Sequence, residues 1–245
     1  MDLMRYVKEN MVLIPKGQEL IRDFVDPVKW MSSDYKMSIP GTKKEKIVKQ
    51  ELAMIQSFLL LKTPVTNELY NYVIGIDYDI QIKDFPVVNI SWIDAIKFCN
   101  LLSAKLSLEK CYTLDAVSEK IVVDDSKNGF RLPRDAEWQY ACRGNIKGYR
   151  YGDIESIAWF EENSDKRLHE VGTKKENNFG LFDMIGNVWE WCFDLYDKER
   201  YGNYRIFRGG SFASENRACG ATSRRKSFPD FRTDDLGFRI AINKF

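Results

Sequence analysis

Histidine is nearly missing from this chain: His169 is the only one among 245 residues, which excludes a metal centre built from two or three imidazoles within one chain. Long apolar runs are missing too. No stretch approaches the ~20 residues a membrane-spanning helix needs, and MDLMRYVKENMVLIPKG at the amino terminus lacks a hydrophobic signal core. As written, the sequence is expected to be cytoplasmic, and cell-surface or secreted if a signal segment was removed. No sign of charge dominates: 37 basic and 36 acidic residues leave a net +1, without the global field that marks nucleic-acid or anionic-membrane binders. The five cysteines, Cys99, Cys111, Cys142, Cys192 and Cys219, form no CxxC pair. That excludes a zinc ribbon or a thioredoxin-like site and leaves small buried thiols in a reducing compartment as the expectation. No internal repeat or low-complexity linker divides the chain, so a single domain over residues 1–245 is expected.

What is present is apolar and aromatic material, 44% and 13% of the residues, enough for a sizeable core. Met11 to Pro15 and Met54 to Leu61 read as strands, and the lysine-rich GTKKEKIVKQ ahead of the second as a surface loop. Thr66 stands where it would cap a short helix that ends at Gly75, and Ser91 opens a stronger helix with Asp94 at capping-box distance. On that helix Trp92, Ala95, Ile96, Cys99, Leu102 and Leu106 recur at three- and four-residue spacing, one apolar face that makes Cys99 a packing residue. A second helix is expected to start near Pro133 and stop at Gly144. Beyond it the chain is rich in glycine and aromatics and poor in periodic segments, so irregular structure held by buried aromatics is expected.

Three strings in the second half are unusual: NGFRLPRDAEWQYACRG, NNFGLFDMIGNVWEWCFD and RGGSFASENRACGATSRRKSFPDFRTDDLGFRI. Gly186, Gly209, Gly210 and Gly237 adjoin large side chains, the pattern of tight turns or close backbone approach. Trp138, Trp189, Trp191 and Phe238 offer large areas to bury, and Arg131, Arg208 and Arg239 offer guanidinium groups to satisfy buried carbonyls or carboxylates between them. Together with MVLIPKG and FPVVNISWIDAIKFCNLLS, these strings resemble the formylglycine-generating enzyme, or sulfatase-modifying factor, family over nearly the whole chain. GNVWEW, RGGSF and LGFRI in that order carry the match.

The resemblance implies an α+β architecture, the C-type lectin-like fold of the formylglycine-generating-enzyme subtype, with much irregular structure. Catalytic members hold copper(I) on two cysteines after RGGS; here the second position is Cys219 and the first is Ser214, a hard hydroxyl in place of a soft thiolate, so copper is not expected. The family's oxygen-pocket serine and tryptophan correspond to Ser211 and Trp189. Iron-dependent members use histidines, which the single His169 does not supply. A calcium site is implied at Asp183, Gly186, Val188 and Glu190, the alternative being that both carboxylates accept hydrogen bonds from backbone or arginine. Without the copper pair, the expectation is a non-catalytic module that binds a protein or peptide through the surface after RGGS, with Phe212, Ser214, Glu215, Asn216, Arg217, Arg225, Lys226, Phe228, Asp230, Phe231, Arg232, Asp234 and Asp235 displayed. The alternative is a copper-dependent oxidase that converts a substrate cysteine to formylglycine. Relatives of this fold also serve as variable proteins of diversity-generating retroelements, in which the corresponding carboxy-terminal segment varies.

Overall fold

The computed structural model describes residues 1–22, 36–38, 45–47, 50–114 and 121–243. Its amino-terminal part runs α1 (Leu3–Asn10), β1 (Met11–Ile14), β2 (Gly17–Arg22), β3 (Lys36–Ser38), β4 (Glu45–Ile47), β5 (Gln50–Ile55), β6 (Phe58–Leu61), α2 (Asn67–Ile74) and α3 (Trp92–Lys105). There follow β7 (Tyr112–Leu114), β8 (Ile121–Val123), β9 (Phe130–Arg131), α4 (Asp135–Arg143), α5 (Ile154–Ile157) and β10 (Trp189–Leu195). The chain closes with α6 (Lys198–Tyr201), β11 (Arg205–Arg208), β12 (Arg224–Ser227), β13 (Leu236–Phe238) and β14 (Ala241–Ile242).

Local chemistry explains the helices. Ser91 accepts the Asp94 N–H at 3.1 Å while Asp94 takes the Ser91 N–H at 3.0 Å, a reciprocal cap for α3. Its predicted apolar face is buried from Trp92 through Leu102, with Leu106 packed partly against the same core. Thr66 caps α2 through Leu69 N–H, and Gly75 ends it in the left-handed conformation. The helix expected from near Pro133 to Gly144 is α4, which begins at Asp135 and ends on left-handed Gly144, with Pro133 before its first turn and not within it. Glu137 takes the Arg134 N–H at 2.8 Å and makes Arg134 the cap, while Pro133 stays outside and offers its carbonyl to Phe193 N–H at 3.0 Å.

The run Met54 to Leu61 is two strands. β5 pairs with β2, whereas β6 lies between β1 and β14 in the sheet β1-β6-β14-β9; exposed Gln56 and Ser57 mark the change of partner. Within the lysine-rich stretch expected to be loop, Glu45–Ile47 is a strand paired with Lys36–Ser38, and residues 41–44 and 48–49 lie outside the described residues. A second sheet has the order β12-β11-β10-β13, antiparallel except for the parallel β10–β13 pair. Between α5 and β10 the chain is turns and loops with no strand, as the missing periodicity implied.

Three buried arginines tie these parts together. Arg131 makes a bidentate pair with Glu137 at 2.7 and 2.8 Å. Arg208 holds Asp135 at 2.5 Å and also donates to Gln139 and to the Ala221 carbonyl. Arg239 holds Glu190 at 2.8 Å and donates to the Leu61 and Phe182 carbonyls. These guanidinium groups donate several hydrogen bonds and accept none, so each ties a carboxylate to backbone carbonyls that irregular loops leave unpaired, with Nη2 of Arg208 alone among the three reaching no acceptor among the described residues.

Candidate functional site: a closed thiol pocket beside an exposed loop surface

Strand β11 delivers the chain to Gly209 and Gly210, both at positive φ. Glycine is required at 210 on a second count, since a Cβ there would stand 2.7 Å from Cys219 Sγ. A tight turn follows. Ser214 Oγ accepts the Ser211 N–H at 3.0 Å and shares a hydrogen bond with Ser211 Oγ at 3.0 Å. Ser211 Oγ also lies 2.7 Å from Asp235 Oδ2, and the Asp235 carbonyl accepts the Trp189 N–H at 2.9 Å. Ser211, Ser214, Cys219 and Trp189 are therefore brought into one neighbourhood, with Asp235 joining its two sides.

The chemistry there is that of packing. Cys219 is fully buried, its Sγ 3.9 Å from the carbonyl oxygens of Ser211 and Ser214, and burial pushes its thiol up to about 12. At neutral pH it is a thiol. Copper(I) needs two soft thiolates; the partner position holds a hydroxyl already committed to Ser211, so this donor set does not fit the ion. The other four cysteines are likewise buried and free. Trp189 packs edge-on to Phe207 under the Arg225 guanidinium, 4.8 Å above its ring, and its indole N–H reaches no acceptor among the described residues.

The carboxylates expected around calcium are engaged otherwise. Glu190 is fully buried, accepts the Trp138 indole N–H at 2.7 Å and pairs with Arg239 at 2.8 Å. Asp183, also buried, takes the Gly172 N–H at 2.6 Å, and burial raises its carboxyl to about 6. Gly186 turns the chain at φ 77, where a Cβ would meet the Trp159 carbonyl at 2.3 Å, and Val188 is buried. A divalent cation would have to displace Arg239 from Glu190, so these four residues do not fit a calcium cage. The arrangement is the hydrogen-bonded alternative.

The loop surface after the turn is largely displayed. Glu215, Asn216, Arg217, Arg225, Phe228, Asp230, Phe231, Arg232 and Asp234 are exposed, Phe228 at 55% and Phe231 at 40%. Lys226 and Asp235 are half-buried. Phe212 and Ser214, expected on this surface, are buried instead. The Phe212 backbone is tied inward by Asn187 and Ser164, and Ser214 by its hydroxyl bonds to Ser211. Two ion pairs set the local geometry, Arg217–Glu215 at 2.6 Å and Arg232–Asp94 at 2.5 Å.

Residues not singled out in the sequence brace this surface from below. Arg150 donates to the Asn216 carbonyl and Oδ1, both at 2.6 Å, and to the Cys219 carbonyl at 2.9 Å. Tyr149 donates to the Arg217 carbonyl at 2.6 Å, its ring lying where a Cβ on Gly220 would be. The string GYRYGD gives no hint of these roles, because the partners are 66 to 69 positions away.

Comparison with known proteins identifies the family and the fold. Residues 4–244 match the sulfatase-modifying factor enzyme 1-like domain. Inactive C-alpha-formylglycine-generating enzyme 2 of Bos taurus is 29% identical over 204 residues, 75% of this chain and 59% of that protein. Formylglycine-generating enzyme of Streptomyces coelicolor is 28% identical over 64% of this chain and 52% of that one, so the chain spans little more than half the length of either relative. The solved structure of Treponema denticola variable protein 1 superposes with a TM-score of 0.74 at 28% identity, over 95% of this chain and 94% of that one. The fold is the α+β fold of the formylglycine-generating-enzyme subtype, and the chain belongs to the sulfatase-modifying factor enzyme 1-like family.

Proposed function

We propose that this chain is a non-catalytic binding module that recognises a protein or peptide through the exposed surface after the RGGS turn. One observation carries it: at the position that resembles the family's first copper cysteine stands Ser214, its hydroxyl bonded to Ser211, while the surviving Cys219 is a buried thiol. A site without its second thiolate has lost the means to hold copper(I) and a substrate thiol together, but the scaffold around it is intact. Support comes from a relative described as inactive and from the match to a variable protein. The exposed mixture of Phe228, Phe231, arginines and acids has the composition of a recognition surface.

The test is mass spectrometry of a cysteine-containing sulfatase-type peptide after incubation with the folded protein, copper(I), a reductant and oxygen. The peptide is expected to return unchanged. Conversion of its cysteine to the aldehyde would establish the oxidase and overturn the binding module.

A further inference from the structure

The sheet β12-β11-β10-β13 ends on β12. Among the described residues β12 pairs with β11, from Arg205↔Ser227 to Arg208↔Arg224, and no backbone group outside β11 bonds to the backbone of Arg225, Lys226 or Ser227. An open edge is a template for another strand. This edge carries three consecutive cations, Arg224, Arg225 and Lys226. Arg224 is engaged below the sheet, 3.2 Å from Asp135. Arg225 and Lys226 meet no carboxylate among the described residues, whereas Arg217, Arg232 and Arg208 each have one.

Both unneutralised cations are held in place by aromatic faces. Arg225 lies 4.8 Å above Trp189, and Lys226 lies 4.2 Å from the Tyr201 ring and 4.6 Å from that of Tyr196. As neighbours on a strand they point to opposite faces of the sheet. Charged side chains on an edge deter pairing with an uncharged or like-charged strand; here the aromatic faces hold the two charges at fixed points, where a strand carrying carboxylates would neutralise them. Just past the strand Phe228, 55% exposed, rests on Tyr204 at 4.2 Å and offers an apolar contact at the end of the edge.

We propose that β12 docks an acidic peptide segment, which adds as an extended strand beside Arg224–Ser227 and sets adjacent carboxylates on Arg225 on one face and Lys226 on the other. This rests on the binding-module proposal and names the ligand chemistry. Main-chain hydrogen bonds supply affinity in such strand addition, and the side chains select the partner.

The probe is a fluorescent hexapeptide with adjacent glutamates flanked by valine and threonine, followed by anisotropy. Binding is expected, weakening as salt rises and falling by roughly tenfold or more in the double variant Arg225→Gln, Lys226→Gln. A peptide N-methylated on alternate amides is expected to bind when the methyls face solvent and to fail when they face β12. Equal binding of a glutamine peptide, of the double variant, or of both methylated forms would overturn the proposal; thermal denaturation of the double variant checks that it remains folded. Panning a random peptide library separates the two proposals. Non-acidic peptides that need Phe231 but not Arg225 or Lys226 would keep the binding module and overturn the acidic edge, as would silence from the glutamate probe, whereas oxidation of the sulfatase-type peptide would overturn both.

Discussion

Ser214 stands where the family resemblance implies a copper-binding cysteine, and its surroundings make two outcomes testable. Cys219 and the other thiols are sealed and Cys219 is pushed up to about 12 by burial, so thiol-directed disulfide reagents at pH 8 are expected to find no reactive cysteine in the native protein and all five after denaturation. Ser214→Cys supplies a second sulfur at the position that the family resemblance pairs with Cys219 and is expected to raise copper(I) affinity above that of the unmodified chain in a chelator competition; no gain would mean that the pocket has closed for good. Buried ion pairs give a third outcome. Burial pushes the Asp135 carboxyl up, but the guanidinium groups of Arg208 and Arg224 outweigh it and hold it below the ordinary aspartate range. With the folded value below the unfolded one, the stabilisation is present at neutral pH and is lost as pH falls through the folded value. Asp135→Asn is therefore expected to cost about 3–5 kcal/mol in urea unfolding at pH 7, and to flatten the loss of stability below about pH 4. That Arg131, Arg208 and Arg239 are buried and partnered was legible in the sequence. Which acid each one meets was not, because Asp135 and Glu190 lie 73 and 49 positions from Arg208 and Arg239.

At the scale of elements, legibility followed the range of the forces involved. The caps of α2 and α3 are contacts across three residues, so Thr66, Ser91 and Asp94 announced them directly. That Pro133 lies before α4 and not in its first turn, and that Met54 to Leu61 divides into two strands, were missed for the opposite reason. Both depend on partners distant in sequence: Phe193 for the chain at Pro133, and β2 against β1 and β14 for the two strands. Ser91→Ala is expected to lower stability by about 1 kcal/mol with the fold unchanged by circular dichroism. Gly186→Ala is a different kind of change, since the left-handed backbone there costs an L-residue of order 1–3 kcal/mol and the new Cβ would meet the Trp159 carbonyl at 2.3 Å. It is expected to yield protein that unfolds cooperatively at clearly lower urea than Ser91→Ala, or none that is soluble.

Across the whole molecule the segment after RGGS is divided between scaffold and display, and this division is what a one-dimensional sequence cannot express. Phe212, Ser214, Cys219 and Ala221 are buried, while Glu215, Asn216, Arg217, Phe228, Asp230, Phe231 and Asp234 are exposed. Surface substitutions of that kind ordinarily move stability by within ~0.5 kcal/mol, whereas removal of a buried aromatic costs about 3–5 kcal/mol. A library randomised at the seven exposed positions is therefore expected to remain folded in most members, with melting temperatures near that of the parent and altered peptide selection; the same randomisation at the four buried positions is expected to yield mostly insoluble protein. Sister copies of this chain, sequenced from one source, supply the natural version of the experiment. If the segment serves as a diversified binding surface, their differences fall on the exposed set and spare Phe212, Ser214, Cys219 and Ala221; differences spread evenly over both sets would show that the segment drifts without selection for a displayed surface on a fixed core.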